Sequence, residues 1–171
     1  MSMQLLIANI IAMQFAIGFA AALVIVVIAY YLKSLSLSGA VGALAIGTII
    51  FGTGGIQFAI PLLFFFISSS ILSRIKTASK RTAIDHNQKE GPRDFWQILA
   101  NGGVGAICSI IFLISGSPFW FFPYLASICE ATADTWATEI GTLSPIKPIS
   151  IVTLKKIETG QSGGVTILGI L

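Results

Sequence analysis

The sequence predicts an all-α fold, a polytopic bundle of transmembrane helices. Of the 171 residues, 55% are hydrophobic and only 10% are charged, whereas a soluble domain carries about 25% charged residues. The apolar residues form continuous runs, which favour helices over the alternating segments of a membrane barrel. Seventeen glycines fit this prediction, because small residues let helices approach closely in lipid. We therefore expect a single transmembrane domain over residues 1–171.

Apolar runs account for most of the chain. A membrane span needs about 20 apolar residues, and five runs cover roughly residues 4–32, 39–52, 56–73, 95–115 and 119–141. A sixth run begins at residue 161 and reaches residue 171, a length of about 16 Å or roughly half a bilayer. We expect about five full spans and a truncated sixth, which further residues or another copy of the chain would complete.

The positions of the basic residues predict the orientation in the membrane. The loops after the first, third and fifth runs contain all ten Lys and Arg residues, and the opposite turns contain none. Because cytoplasmic loops are enriched in Lys and Arg, we expect the N-terminus outside and loops 74–94 and 142–160 in the cytoplasm. In a prokaryote this membrane would be the plasma membrane. Basic residues that lie only beside membrane spans do not indicate a nucleic-acid partner.

Three carboxylates lie in the half of the fifth run that is expected to face the cytoplasm. Glu130 and Asp134 are four residues apart and share one helical face. Glu139 is about 140° around the helix from Asp134, so it joins them only if the helix loosens near Gly141. Charged groups within a membrane are costly and are therefore candidates for function. The alternative is a structural polar network that bonds to a facing helix.

Further candidates come from the fourth run and from the loop after the fifth. Asn101 is expected at about the same depth as Asp134, although it could instead be an interhelical hydrogen-bond donor. A glycine-rich turn before a helix offers backbone N–H groups to phosphate, and lysines add charge. The alternative is a flexible turn with two snorkelling lysines. The candidates in this loop are Lys155, Lys156, Gly160, Gly163 and Gly164.

The remaining polar and reactive residues carry weaker signals. Cys108 and Cys129 lie inside apolar runs and are interpreted as small buried side chains. The triplet Ser68-Ser69-Ser70 is interpreted as a packed interface of small residues. His86 is interpreted as a solvated residue in a charged loop.

Together these residues favour phosphoryl transfer at the cytoplasmic rim of the membrane. Carboxylates bind Mg²⁺, which also bridges to substrate phosphates, and Glu130 and Asp134 are the candidate metal ligands. Phosphoryl transfer depends on charge neutralisation and positioning more than on a nucleophilic side chain. We therefore expect an enzyme that uses a cytosolic nucleotide on a lipid-soluble acceptor.

Three segments resemble the motifs of an integral membrane family that includes plant phytyl-phosphate kinase. They are LANG at 99–102, ADTWATEIG at 133–141 and TGQSGGVTILG at 159–169, within a resemblance over roughly residues 36–171. The family is also distantly similar to CTP-dependent phytol and dolichol kinases. The resemblance implies that an isoprenoid monophosphate is converted to its diphosphate, with Mg²⁺ and with CTP or another nucleoside triphosphate as donor. It places Asn101, Asp134 and Glu139 among the catalytic residues and the loop lysines and glycines among those that bind the nucleotide.

Two other functions stay open from the sequence. A proton- or cation-coupled transporter would carry its ion past Glu130 and Asp134, but transporters place such acids near the midplane and often contain an internal repeat. A noncatalytic membrane subunit is the second alternative. The identity of the isoprenoid and of the nucleotide, and the assembly of the chain into a homo-oligomer, are also open.

The orientation predicts the outcome of cysteine labelling in intact cells. In a chain that carries Cys108→Ala and Cys129→Ala, a single cysteine in loop 74–94 or loop 142–160 should react with a membrane-impermeant maleimide only after permeabilisation. A cysteine at Ser117, in an opposite turn, should react from outside and serves as the control. Labelling of both basic loops from the exterior would show that the orientation is reversed.

Overall fold

A computed structural model of the chain describes residues 3–75, 91–161 and 163–170. Most of these residues are helical, as the sequence predicts. Residues 76–90 lie outside the described residues, as does Ser162. The segment 76–90 includes His86 and most of the charged residues of the predicted loop 74–94. The helices are α1 (Met3–Tyr31), α2 (Leu37–Gly54), α3 (Ile56–Leu72), α4 (Phe95–Ser115), α5 (Phe121–Gly141) and α6 (Ile167–Ile170), with one turn of 3-10 helix at Pro118–Trp120.

Three helices in the described part of the chain are long and apolar enough to cross a membrane, as judged by length and composition. They are α1, α2 and α4. Helix α3 is also apolar but has 17 residues, and α5 has 21 residues with three carboxylates among them. The predicted all-α membrane fold is confirmed, and all five predicted runs form helices.

The chain divides into two compact units. The first comprises residues up to 65 together with 91–129, and the second comprises residues 66–90 and 130–171. Helices α3 and α5 therefore each contribute their first part to unit one and their last part to unit two. Glu130, Asp134 and Glu139 belong to unit two, as does the loop that contains Lys155 and Lys156, whereas Asn101 belongs to unit one.

In unit one, α1 and α2 run antiparallel in close contact. Gly18 lies against the ring of Phe51, where an added Cβ would come within 2.8 Å, and Gly52 lies directly against the ring of Phe15. At the same level, the Gln14 side-chain amide donates to the carbonyl oxygen of Phe51 at 3.2 Å. Small residues therefore allow this helix pair to pack closely, in the way that membrane helices do without a hydrophobic driving force.

The starts of α2 and α4 are joined backbone to backbone. The Ser36 N–H donates to the carbonyl oxygen of Arg93, and the Arg93 N–H donates to the carbonyl oxygen of Ser34, each at 3.0 Å. Gly39 lies directly against the same Arg93 carbonyl. Leu35, between these residues, is buried. The two helices therefore begin at one level and run parallel, with Gly102 of α4 against Ile46 of α2.

Both helices begin at caps that the sequence encodes. The Ser36 hydroxyl accepts from the Gly39 N–H at 3.1 Å, and Asp94 forms a complete capping box with Gln97. Such caps satisfy N–H groups that have no partner within the helix.

In unit two, residues 142–166 form a small lobe that the sequence did not predict. Strand β1 (Ile149–Ser150) pairs antiparallel with β2 (Gly164–Val165), and Ile149 also bridges to Lys156. The expected sixth run is therefore interrupted at its start by β2, and its described helical part is the single turn of α6. This lobe follows α5 directly, since α5 ends at Gly141.

The contact at Gly39 predicts the effect of a single added methyl group. The substitution Gly39→Ala should destabilise the protein by about 2 kcal/mol or more, because the new Cβ meets rigid backbone at Arg93. In Gly103→Ala, the control in α4, the new methyl meets only the flexible end of Leu99, at 3.2 Å. Thermal unfolding in detergent should show a lower melting temperature for Gly39→Ala and little change for Gly103→Ala. Equal melting temperatures for both variants would contradict the packing described.

Candidate functional site

Two carboxylates lie on an exposed face of α5. Glu130 and Asp134 are both exposed in the chain, and their spacing of four residues places their Cβ atoms about 5–6 Å apart on one helical face. An exposed pair at this separation can bind one cation between its oxygens, because side chains of this length can turn towards each other. The sequence predicted this shared face, and the regular helix provides it.

Glu139 faces a different neighbour. Its Oε1 accepts a hydrogen bond from the Ser73 hydroxyl, which follows α3, at 2.5 Å. Helix α5 continues without a break to Gly141, so Glu139 stays about 140° around the helix from Asp134. The loosening that would bring Glu139 to the Asp134 face is absent from the described helix. Within unit two, Glu139 thus connects α5 to the end of α3.

The serine triplet also contacts α5 within unit two. The indole N–H of Trp136 donates to the Ser68 hydroxyl at 3.2 Å. Ser69 is fully buried, and its hydroxyl has no hydrogen-bond partner among the described residues. The surface of small residues at the end of α3 is therefore also polar. The Ser68 hydroxyl bonds to the indole of Trp136, and the hydroxyl of Ser73, which follows the triplet, bonds to the carboxylate of Glu139.

The candidate lysines lie in the lobe. Lys155 and Lys156 are exposed. The backbone of Lys156 forms an isolated antiparallel β-bridge with Ile149. Lys147, to which the sequence assigned no role, forms an ion pair with Glu158 at 2.5 Å. In the described lobe, Lys155 and Lys156 thus add two exposed positive charges beyond this pair.

The candidate glycines also have structural reasons for being glycine. Gly160 and Gly163 have φ values of 95° and 77°, in the left-handed region that glycine adopts without strain. A Cβ at Gly164 would lie 3.0 Å from the Ile157 side chain. The expectation of a glycine turn that leads straight into a helix is not met, because β2 follows the turn. Gly160 and Gly163 therefore lie in a turn before a strand, and Gly164 is the first residue of that strand.

The end of the lobe returns to α5 near the acids. The Thr166 hydroxyl donates to the Gly141 carbonyl oxygen at 3.3 Å, and a Cβ at Gly169 would lie 2.7 Å from the Ala137 carbonyl oxygen. Ala137 is three residues from Asp134, about 4.5 Å along the helix axis. Gly169, which follows the lobe, thus contacts α5 within about one helical turn of Asp134.

Asn101 lies in unit one, half-buried on α4. The neighbouring Gly102 is buried against Ile46, whose Cγ2 would lie 2.8 Å from an added Cβ. Helix α2 therefore lies beside this glycine.

Three side-chain contacts in unit two were not predicted from the sequence. They involve Ser73 with Glu139, Ser68 with Trp136, and Lys147 with Glu158. The first two join residues 66 and 68 positions apart, so no local pattern signals them. The opposite charges of Lys147 and Glu158, in one short loop, were the available signal for the third.

Comparisons with known proteins agree with the motifs. A family described as Integral membrane protein DUF92 matches residues 20–171. An uncharacterized membrane protein of Methanocaldococcus jannaschii is 33% identical over 156 residues, which cover 90% of this chain and 64% of the relative. Protein PGR of Arabidopsis thaliana is 32% identical over 164 residues, which cover 83% of this chain and 54% of the relative.

A more distant relative is Protein VTE6, chloroplastic, also of Arabidopsis thaliana. It is 22% identical over 142 residues, which cover 80% of this chain and 43% of the relative. The chain thus spans between 43% and 64% of the length of these curated relatives. No solved structure matches the chain. Since the family match covers most of the sequence and both nearer relatives exceed 30% identity, the chain belongs to the integral membrane protein family DUF92.

Proposed function

We propose that the protein is a membrane phosphotransferase that converts an isoprenoid monophosphate to its diphosphate with a nucleoside triphosphate as donor. The observation that carries the proposal is the composition of unit two. The exposed pair Glu130 and Asp134 belongs to the same compact unit as Lys155 and Lys156, and Gly169 ties the end of that lobe to Ala137.

The carboxylate pair suits Mg²⁺ in the presence of a phosphate substrate. The described residues contain no group of three or more His, Cys, Asp or Glu side chains that could hold a metal ion. Mg²⁺ does not require such a group, since it commonly takes one or two carboxylates and completes its shell with water and substrate phosphates. Asp134 and Glu130 would hold the ion, which would supply neutralisation of phosphate charge during transfer.

The lobe supplies groups that suit the phosphates of the nucleotide. Lys155 and Lys156 offer ammonium groups at the surface, and the left-handed glycines Gly160 and Gly163 leave backbone open to close approach. In the reaction we propose, an acceptor phosphate oxygen attacks the γ-phosphorus, the bond to the β–γ bridging oxygen breaks, and the nucleoside diphosphate leaves. The nucleophile is already an oxyanion, so the chain needs to position and neutralise rather than to remove a proton.

The choice of acceptor rests on the sequence resemblance. The family that the motifs resemble includes plant phytyl-phosphate kinase, and the membrane fold gives an isoprenoid chain access from the lipid. On orientation, we propose that the acids and the lobe face the cytoplasm, where nucleotides are available, in line with the positions of the basic residues. Glu139, bonded to Ser73, would position the end of α5 rather than contact the metal.

Replacing Asp134 tests the centre of this proposal. The substitution Asp134→Asn keeps the size of the side chain but removes a charged metal ligand, so Mg²⁺-dependent transfer to phytyl monophosphate should fall by about 100-fold or more. The assay uses protein in proteoliposomes with Mg²⁺ and either CTP or ATP. Thr138→Val, an uncharged change at an exposed position one turn away, is the matched control and should keep the wild-type rate.

The fold of Asp134→Asn should be intact, because its amide can replace the carboxylate in hydrogen bonds. Equal melting temperatures for Asp134→Asn and Thr138→Val would establish this. Wild-type turnover with unchanged Mg²⁺ dependence in Asp134→Asn would remove the proposed metal site, and a transporter or a noncatalytic subunit would then be the better explanation.

Replacing a lobe lysine should give a weaker effect of a different kind. Lys156→Ala removes one exposed phosphate contact among several, so the nucleotide concentration for half-maximal rate should rise by about fivefold. The maximal rate should change little, because the metal ligands remain. The measurement is a titration of CTP or ATP at saturating Mg²⁺. A loss of maximal rate with unchanged nucleotide dependence would assign Lys156 a role other than nucleotide binding.

A further inference from the structure

The lobe of unit two carries an unusually exposed apolar loop, which we call the tip and define as residues 151–154. Val152 is 84% exposed, Leu154 is 79% exposed and Ile151 is 61% exposed. Isolated exposed apolar residues are ordinary, whereas a contiguous exposed apolar group marks an interaction surface. Ile151, Val152 and Leu154 lie within four consecutive residues and therefore form a contiguous exposed apolar group.

The tip is held in shape by its own hydrogen bonds. The Ser150 hydroxyl accepts from the N–H groups of Val152 and Thr153, at 3.3 and 3.2 Å. The Ser150 carbonyl accepts from the Leu154 N–H, and the Ser150 N–H donates to the Lys155 carbonyl, each at 2.9 Å. Because Ser150 is itself buried and paired in β1, the tip is a fixed projection of the lobe.

Leu154 occupies a backbone conformation that disfavours its side chain. Its φ is 55°, in the left-handed region where residues other than glycine are strained. Glycine would fit this position with less strain, yet the position carries a large apolar side chain that contacts little of the described chain. Strained residues of this kind cluster where a ligand or partner is met.

The charge around the tip is positive. Residues 142–161 contain three lysines and one acid, and the acid, Glu158, is paired with Lys147. Lys155 and Lys156, which follow the tip directly, are exposed. An apolar tip with adjacent lysines has the composition of segments that insert into the interface of an anionic membrane, where apolar side chains enter the acyl region and ammonium groups meet headgroup phosphates.

We propose that, in the absence of nucleotide, the tip docks into the bilayer interface next to α5, with Ile151, Val152 and Leu154 in the acyl boundary and Lys155 and Lys156 on anionic headgroups. The chain belongs to an integral membrane family, and the lobe begins one residue after α5 ends, so the tip is tethered close to the surface that it binds. A tether of this kind raises the local concentration of the bilayer and makes weak insertion effective. The docking does not depend on the proposed phosphotransferase chemistry.

A fluorescent probe at the tip tests the docking. Val152→Cys, in a chain with Cys108→Ala and Cys129→Ala, is labelled with an environment-sensitive fluorophore and reconstituted without nucleotide into vesicles of phosphatidylcholine with or without phosphatidylglycerol. We expect blue-shifted emission that nitroxide-labelled lipids quench, with stronger quenching in the anionic vesicles. Emission typical of water, without lipid quenching, would overturn the proposal. Blue-shifted emission that lipid nitroxides do not quench would also overturn it, because the tip would then be buried against protein.

A second variant separates docking from folding. In the labelled protein, Leu154→Gly removes an apolar side chain and relieves the left-handed strain, so the melting temperature in detergent should not fall while lipid quenching decreases. Ile146→Ser is the matched control, since it removes an apolar side chain that is 66% exposed but lies outside the tip, and it should leave the quenching unchanged. Unchanged quenching in Leu154→Gly, or an equal decrease in Ile146→Ser, would contradict insertion through the tip.

Discussion

The backbone contact between Gly39 and Arg93 is the constraint on which the architecture of unit one depends. It places the carbonyl oxygen of Arg93 where a side chain at residue 39 would otherwise lie, and it joins the chain before α2 to the chain before α4 by two hydrogen bonds. With their starts fixed together, the two helices must run parallel. The glycines further along, such as Gly42 and Gly102, then meet side chains of the partner helix and maintain the close approach.

Unit two is built on a different principle, in which polar side chains connect its elements. Hydroxyl groups of α3 and the residue after it bond to the indole of Trp136 and to the carboxylate of Glu139, while Glu130 and Asp134 are left exposed. The division of roles among the acids follows from helical geometry. Residues four apart share a face and five apart do not, so one acid is used for structure while two are available to a ligand.

The elements that the sequence predicted are those that depend on local information. Each of the first five apolar runs became a helix, because a helix in lipid satisfies its backbone within the segment itself. The lobe was missed, because its two-residue strands and the turn at Ser150 depend on pairing with residues 164–165. The partner of Glu139 was missed for the same reason, since Ser73 lies 66 residues away.

That separation in sequence has a consequence for synthesis of the protein. At about 5–20 residues per second, the ribosome needs roughly 3–14 s to make the 66 to 68 residues that separate Ser73 and Ser68 from their α5 partners. During this interval α3 has been synthesised but its polar neighbours have not. A serine hydroxyl on a helix can donate a hydrogen bond to a carbonyl oxygen of its own helix during this interval. A carboxylate in the same place would have no such partner. The hydroxyl groups therefore belong to the part of the chain that is synthesised first, and the acids belong to the helix that is synthesised later. This arrangement suits the order of synthesis.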